Sequence, residues 1–182
     1  SVPASYLRAV LDIVADRGAD PARALQGTGV TAAQLDDPDR RVSAPYARRV
    51  LLRAFQLTGD HGLGFDFGLR SKPTSHGPLG YAAMSCGTLK QALELVVRYV
   101  HLVQRDVVLH LREEQGALLL EARDAHVLGP ARHMIYEGMF ASFWRIAGFL
   151  LGEERPDCEL SFDWPEPAYY ALYRKRLPKV RF

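Results

Sequence analysis

Residues 130–151 place apolar side chains on nearly every side of a single helix, and that surface has to be covered. Pro130 opens the segment and Gly152 closes it, the usual asymmetry of a helix start and stop. Between them Met134, Ile135, Met139, Phe140, Phe143, Trp144, Ile146, Phe149 and Leu150 leave no broad polar stripe. Such a helix is either buried centrally or shared with a partner subunit. Glu137 sits in the middle of it. A buried carboxylate needs a partner, and Arg98 or another arginine is the expected one, with a ligand amine as the alternative. Glu137 and Arg145 also keep the segment from reading as a membrane span.

The remaining elements follow from periodicity and punctuation. Tyr6-Leu7, Val10-Leu11 and Val14 recur at helical spacing up to Gly18. Short helical turns are predicted at 21–25 and 31–35. Ser43-Ala44-Pro45 starts a helix reaching Gly59, with the Ser43 hydroxyl as cap. Helices follow over 63–69 and 79–85, and Thr88 to Gln91 has the form of a capping box for one reaching about Leu102. Val107–Arg112 and Ala117–Ala122 read as strands of a hairpin. Cys158–Trp164 reads as a third strand, 165–177 as a last helix, and Val180–Phe182 as a fourth strand. Helices first and a hairpin later imply an α+β fold: one mostly helical domain with a small, mainly antiparallel sheet.

The 182 residues can bury one sizeable core. A formal net charge of +2 gives the whole chain no electrostatic reason to bind nucleic acid, and the basic cluster at Arg174-Lys175-Arg176, Lys179 and Arg181 reads as a solvated face. Cys86 and Cys158 stand outside any metal or redox motif, and read as reduced, mostly buried thiols of a cytosolic protein. The chain begins without Met and stops inside an apparent strand, so it is expected to be part of a longer protein.

The candidate chemistry centres on the loop Lys72-Pro73-Thr74-Ser75-His76-Gly77-Pro78-Leu79-Gly80-Tyr81. Gly77-Pro78 forces a tight reversal, and Gly80 permits close backbone approach. In one reading this is a packing corner where His76 satisfies buried carbonyls. In the other, Arg70, His76, Tyr81 and Ser85 are polar groups of a ligand pocket, with Tyr99, Tyr136, Glu137 and Trp144 lining it. A nucleophilic site at Ser75, Ser85 or Cys86 lacks a GxSxG elbow and a nearby acid. His133 and Glu137 share a helix face but offer only two metal ligands, so a His–Glu hydrogen bond or an Arg132–Tyr136 contact is the simpler use.

Residues 68–103, running from Gly68-Leu69-Arg70 through the His-Gly-Pro-Leu-Gly-Tyr turn to Arg98-Tyr99, resemble the N-terminal, arabinose-binding-type regulatory domain of AraC/XylS transcription regulators. The likeness is to an ornithine-utilisation-regulator-like branch. It extends to Glu121-Ala122-Arg123 with Gly129-Pro130-Ala131-Arg132, and to Cys158–Pro167, Tyr169–Tyr173 and Val180-Arg181-Phe182. The resemblance implies a cytoplasmic regulator without enzymatic activity or cofactor. Residues 1–182 would be its effector-binding and dimerisation domain, and a C-terminal helix-turn-helix domain absent from this chain would contact DNA. Its partners would be a small metabolite (an amino acid, a fatty acid or similar) and a second copy of itself, with no membrane. Three other classes stand beside this one: a ligand-free interaction module, a small hydrolase, and a haem or metal sensor.

Overall fold

The computed structural model describes residues 1–37 and 39–182. Its element order begins with β1 (Val2–Pro3), α1 (Ala4–Asp16), α2 (Pro21–Leu25), α3 (Ala32–Leu35), β2 (Arg41–Val42), α4 (Ala44–Thr58) and α5 (Leu63–Arg70). A 3-10 turn at Pro73–His76 leads into α6 (Pro78–Met84) and α7 (Leu89–Tyr99), then a second turn at Val100–Leu102. The hairpin β3 (Val107–Glu114) and β4 (Ala117–Asp124) precedes α8 (Arg132–Leu151). The chain closes through β5 (Glu159–Ser161), 3-10 turns at Ala168–Leu172 and Arg174–Arg176, and β6 (Lys179–Arg181).

The architecture is α+β, with the sheet content divided into two-stranded pieces. β1 pairs antiparallel with β2, in the register Val2 to Val42. β3 pairs antiparallel with β4, Val107 opposite Asp124. β5 and β6 run parallel, Leu160 beside Val180. No described helix is long and apolar enough to cross a membrane.

α8 is the central element, and its apolar surface is used on several sides. Against α5 the contact is backbone on backbone: a Cβ added at Gly64 would lie 2.6 Å from the Met134 carbonyl oxygen, and one at Gly68 only 2.5 Å from that of Gly138. Only residues lacking a side chain let two helices approach so closely. On another side Tyr136 and Phe140 meet Phe162 and Trp164 within an aromatic core that also takes in Phe65, Tyr170 and Tyr173. Each well-oriented ring pair adds roughly 0.5–1.5 kcal/mol beyond its burial. A separate apolar cluster joins α1, α2 and α4 through Leu7, Leu11, Ala24, Ala47 and Val50. The last turn of α8 is different, with Phe149 and Leu151 exposed.

Several local expectations are corrected. The span 165–177 is two 3-10 turns rather than one helix. Tyr169, Tyr170 and Tyr173 are each drawn to a separate partner (Glu137, the Phe65 ring and Asp60), and that tertiary demand outweighs helix propensity. Ser43 precedes α4 but its hydroxyl makes no cap bond. Thr88 does cap α7, accepting from the Gln91 N–H at 3.2 Å, yet the Gln91 side chain turns to the Gly87 N–H and leaves the box open. The cysteines are free, but neither is buried: Cys86 is half-buried and Cys158 exposed. The basic cluster does lie on an exposed face, where Arg174 pairs with Glu166, Arg176 with Asp66, and Lys179 and Arg181 with Glu159.

Candidate functional site

Between the N-terminal cluster and α8 lies an apolar cavity of about 120 Å³. α1 supplies Tyr6, Leu7 and Val10; α4 supplies Ala44, Ala47, Arg48 and Leu51; α8 supplies Met134, Ile135, Gly138, Met139, Ser142 and Phe143. Phe67 of α5 and Val100 and Val103 after α7 complete the apolar wall, with Gln104 and Asp106 at one edge. Its lining is mostly apolar, and its volume compares with the ~150 Å³ apolar cavity that accepts benzene.

One polar relay crosses the wall. His76 Nδ1 hydrogen-bonds the Tyr6 hydroxyl, and its Nε2 lies 2.9 Å from the Ser142 hydroxyl. The loop sequence explains why the imidazole reaches inward. Pro73–His76 forms a tight turn, and Gly80 of α6 lies so near it that a Cβ would be 1.7 Å from the Pro73 carbonyl oxygen. The turn is thereby clamped against α6, and the ring is pushed between α1 and α8. Burial lowers the His76 pKa to about 4 and raises that of Tyr6, so both are neutral near pH 7. A neutral imidazole accepts at one nitrogen and donates at the other. One of the two hydroxyls therefore donates to the ring and the other accepts from it.

His76 is the residue of the sequence-derived set that lines this cavity; the other seven lie elsewhere. Arg70 donates to Asp16 at 2.5 Å and to Asp66 at 2.9 Å. Asp66 is 1% exposed and also accepts from Arg17 and Arg176. Burial alone would raise its pKa, but the Arg70 and Arg176 donors outweigh that and hold it low. Arg70 is therefore spent on a structural ion cluster. Tyr81 is 58% exposed, Tyr99 is exposed too, and the exposed Ser85 hydroxyl donates to the Tyr81 carbonyl of its own helix. Tyr136 donates to Asp124 at 2.5 Å, with the Arg132 guanidinium over its ring. The Trp144 indole donates to the Pro156 carbonyl at 3.1 Å.

Glu137 is fully buried and accepts from the Tyr169 hydroxyl at 2.7 Å, while its second oxygen has no partner. Its expected arginine is absent from that contact, and burial raises its pKa to about 8. The carboxyl is protonated at neutral pH, which removes the need for a counter-charge. His133 does not bond Glu137 but stacks on Trp164 with ring centroids 4.2 Å apart. His76 is bonded to hydroxyls, not to the carbonyls that the packing-corner reading required.

Sequence reasoning missed Tyr6, Arg48, Ser142 and the methionines of α8. Two of them carried a signal: a hydroxyl at Tyr6 on the buried side of an amphipathic helix, and Ser142 among the apolar residues of α8.

Fold and cavity together describe a mostly helical domain with a largely apolar cavity, bordered by a His-Gly-Pro turn. Residues 18–178 match the family described as the arabinose-binding domain of AraC transcription regulators, N-terminal, and the chain belongs to that family. It is 32% identical over 172 residues to the ornithine utilization regulator of Pseudomonas aeruginosa, covering 94% of this chain and 51% of that protein. It is 35% identical over 139 residues to an uncharacterized HTH-type transcriptional regulator of Mycobacterium tuberculosis, covering 74% of this chain and 40% of that one. A Mycobacterium bovis regulator of the same description matches equally. The chain thus spans about half, or less, of the curated relatives it matches.

Proposed function

We propose that this chain is the sensory half of a cytoplasmic AraC-type transcription regulator, and that the cavity between α1, α4 and α8 receives its effector. The carrying observation is a mostly apolar cavity with one neutral polar relay, Tyr6–His76–Ser142, in its wall. Such a site selects a small molecule by apolar contact and fixes its orientation with a few hydrogen bonds. The chain acts by binding and not by catalysis, and DNA would be contacted by a C-terminal helix-turn-helix domain outside residues 1–182.

The mechanism follows from where the cavity lies. α1 and α4 carry the N-terminal cluster and α8 the aromatic core, and a third cluster through Val10, Ala54, Leu63 and Met134 joins them beside the cavity. A guest touching both favours the arrangement in which they close around it, and can shift the balance only by its difference in affinity for the two arrangements. That shift would reposition the DNA-binding half. The exposed Phe149 and Leu151 at the end of α8 support self-association as a homodimer.

Thermal-shift screening of small apolar metabolites on residues 1–182, with Ala47→Leu in parallel, tests this reading. Ala47 is buried in the cavity wall, so leucine there fills the space. Bound molecules should raise the wild-type Tm in proportion to ligand excess and leave the folded variant's Tm unmoved. Equal shifts in both proteins would place binding elsewhere and refute the proposal.

A further inference from the structure

Arg48 is the cationic side chain among the residues lining the cavity, and it is incompletely used. Its Nη1 donates to the Val127 carbonyl at 2.9 Å. Its Nε is buried with no hydrogen-bond partner, and among the described residues no carboxylate pairs with the guanidinium. A buried donor left unmade is costly, the more so on a charged group. The vacancy has a definite shape. With Nη1 engaged, what remains is the side edge of the guanidinium formed by Nε–H and Nη2–H, the fork that takes a carboxylate through two parallel hydrogen bonds.

Among the described residues, none of the cavity's other polar groups bonds this edge. The imidazole of His76 is held neutral between two hydroxyls. On the rim, the Gln104 side chain accepts from the Asp106 N–H, and the Asp106 carboxylate lies 3.5 Å from the exposed His126 ring. Among the described residues Asp106 makes no ion pair with Arg48.

We infer that the ligand is a monocarboxylic acid with a small apolar body, its carboxylate on the Nε–Nη2 edge of Arg48 and its hydrocarbon among Val10, Leu51, Met134 and Met139. This rests on the cavity being the effector site. A space of about 120 Å³ accommodates a body of roughly six carbons, judged against benzene in a ~150 Å³ cavity. The Ser142 hydroxyl, also in the lining, would meet a polar group on a functionalised acid.

The test is calorimetric titration of residues 1–182 at neutral pH with straight-chain acids of about four to eight carbons, benzoate, and the alcohols and primary amines matched to each. The wild type, Arg48→Gln, Arg48→Lys and Ala47→Leu are compared, with circular dichroism confirming that each is folded. The acids should bind about tenfold or more tightly than their alcohols, the scale of one charge-assisted pair. Arg48→Gln should erase that preference while leaving alcohol binding in place, and Arg48→Lys should restore part of it. If alcohols bind as tightly as acids, if amines bind tightest, or if Arg48→Gln keeps the preference, the carboxylate assignment is overturned while the cavity stands as a site. If neither acid, alcohol nor amine distinguishes the wild type from Ala47→Leu, the cavity reading falls with it.

Discussion

Replacing Glu137 with glutamine should make the protein more stable in alkali, and the gain should grow with pH along a defined course. Glu137 is fully buried on α8, bonded through one oxygen to Tyr169, with its pKa raised by burial to about 8. An unfolded glutamate ionises near its ordinary value of 4.5. A group whose folded pKa lies above its unfolded one contributes fully below the unfolded value and loses that contribution as pH rises through the folded one. The wild type therefore becomes less stable between roughly pH 4.5 and pH 8, by 1.36 kcal/mol per pH unit for this group, an upper total of about 4–5 kcal/mol. Glutamine keeps an oxygen for Tyr169 and cannot ionise. Urea unfolding of both proteins at intervals from about pH 5 to pH 9, with the difference in free energy plotted against pH, reads the effect directly. Histidine titration is common to both and cancels. The difference should start near zero, climb, and level off above pH 8. A flat difference over that range would mean that Glu137 is ionised in the folded protein, and the reasoning would be wrong.

On the acid side His76 should dominate. Its folded pKa of about 4 lies below the ordinary histidine value of 6.5, so its contribution is present above pH 6.5 and lost as pH falls toward 4, by about 3 kcal/mol. His76→Ala should flatten that acid limb in denaturation curves, and at pH 7 should lower stability by about 2–4 kcal/mol, because Tyr6 and Ser142 lose their shared partner. Gly68→Ala should lower the Tm by several degrees in differential scanning calorimetry, since its methyl group would meet the Gly138 oxygen and the Ala141 side chain at 2.5 Å each, an overpacking cost of about 1–3 kcal/mol. An unchanged Tm would contradict the close helix crossing.

What could be read in the sequence were features set by neighbours along the chain. The uniformly apolar α8, the hairpin and the clamp at Gly77-Pro78 depend on local periodicity and on residues with special backbones. Glu137 was recognisable as a buried acid in need of an explanation, but the explanation differs: protonation and a tyrosine, not an arginine. Arg70 looked like a ligand anchor because it stands next to the His76 loop, yet Asp66, four residues earlier, claims it. The cavity was illegible for a simple reason: its wall is assembled from segments as far apart as Val2 and Phe143, each of which alone looks like ordinary core. The two 3-10 turns near the end were misread because three tyrosines answer to distant partners that no local pattern reveals.

At Gly64 and Gly68 the crossing of α5 over α8 brings backbone against backbone, with Phe67, Glu137 and Ala141 packed immediately beside it. Such a joint has little to cushion a slide, so relative movement of the helices reduces to swivelling about the Gly64–Gly68 edge. Gly138 belongs both to that edge and to the cavity wall. A molecule lodged beside it pushes close to the fulcrum, and a displacement too small to disturb either core would be magnified toward the far end of the twenty-residue rod that is α8.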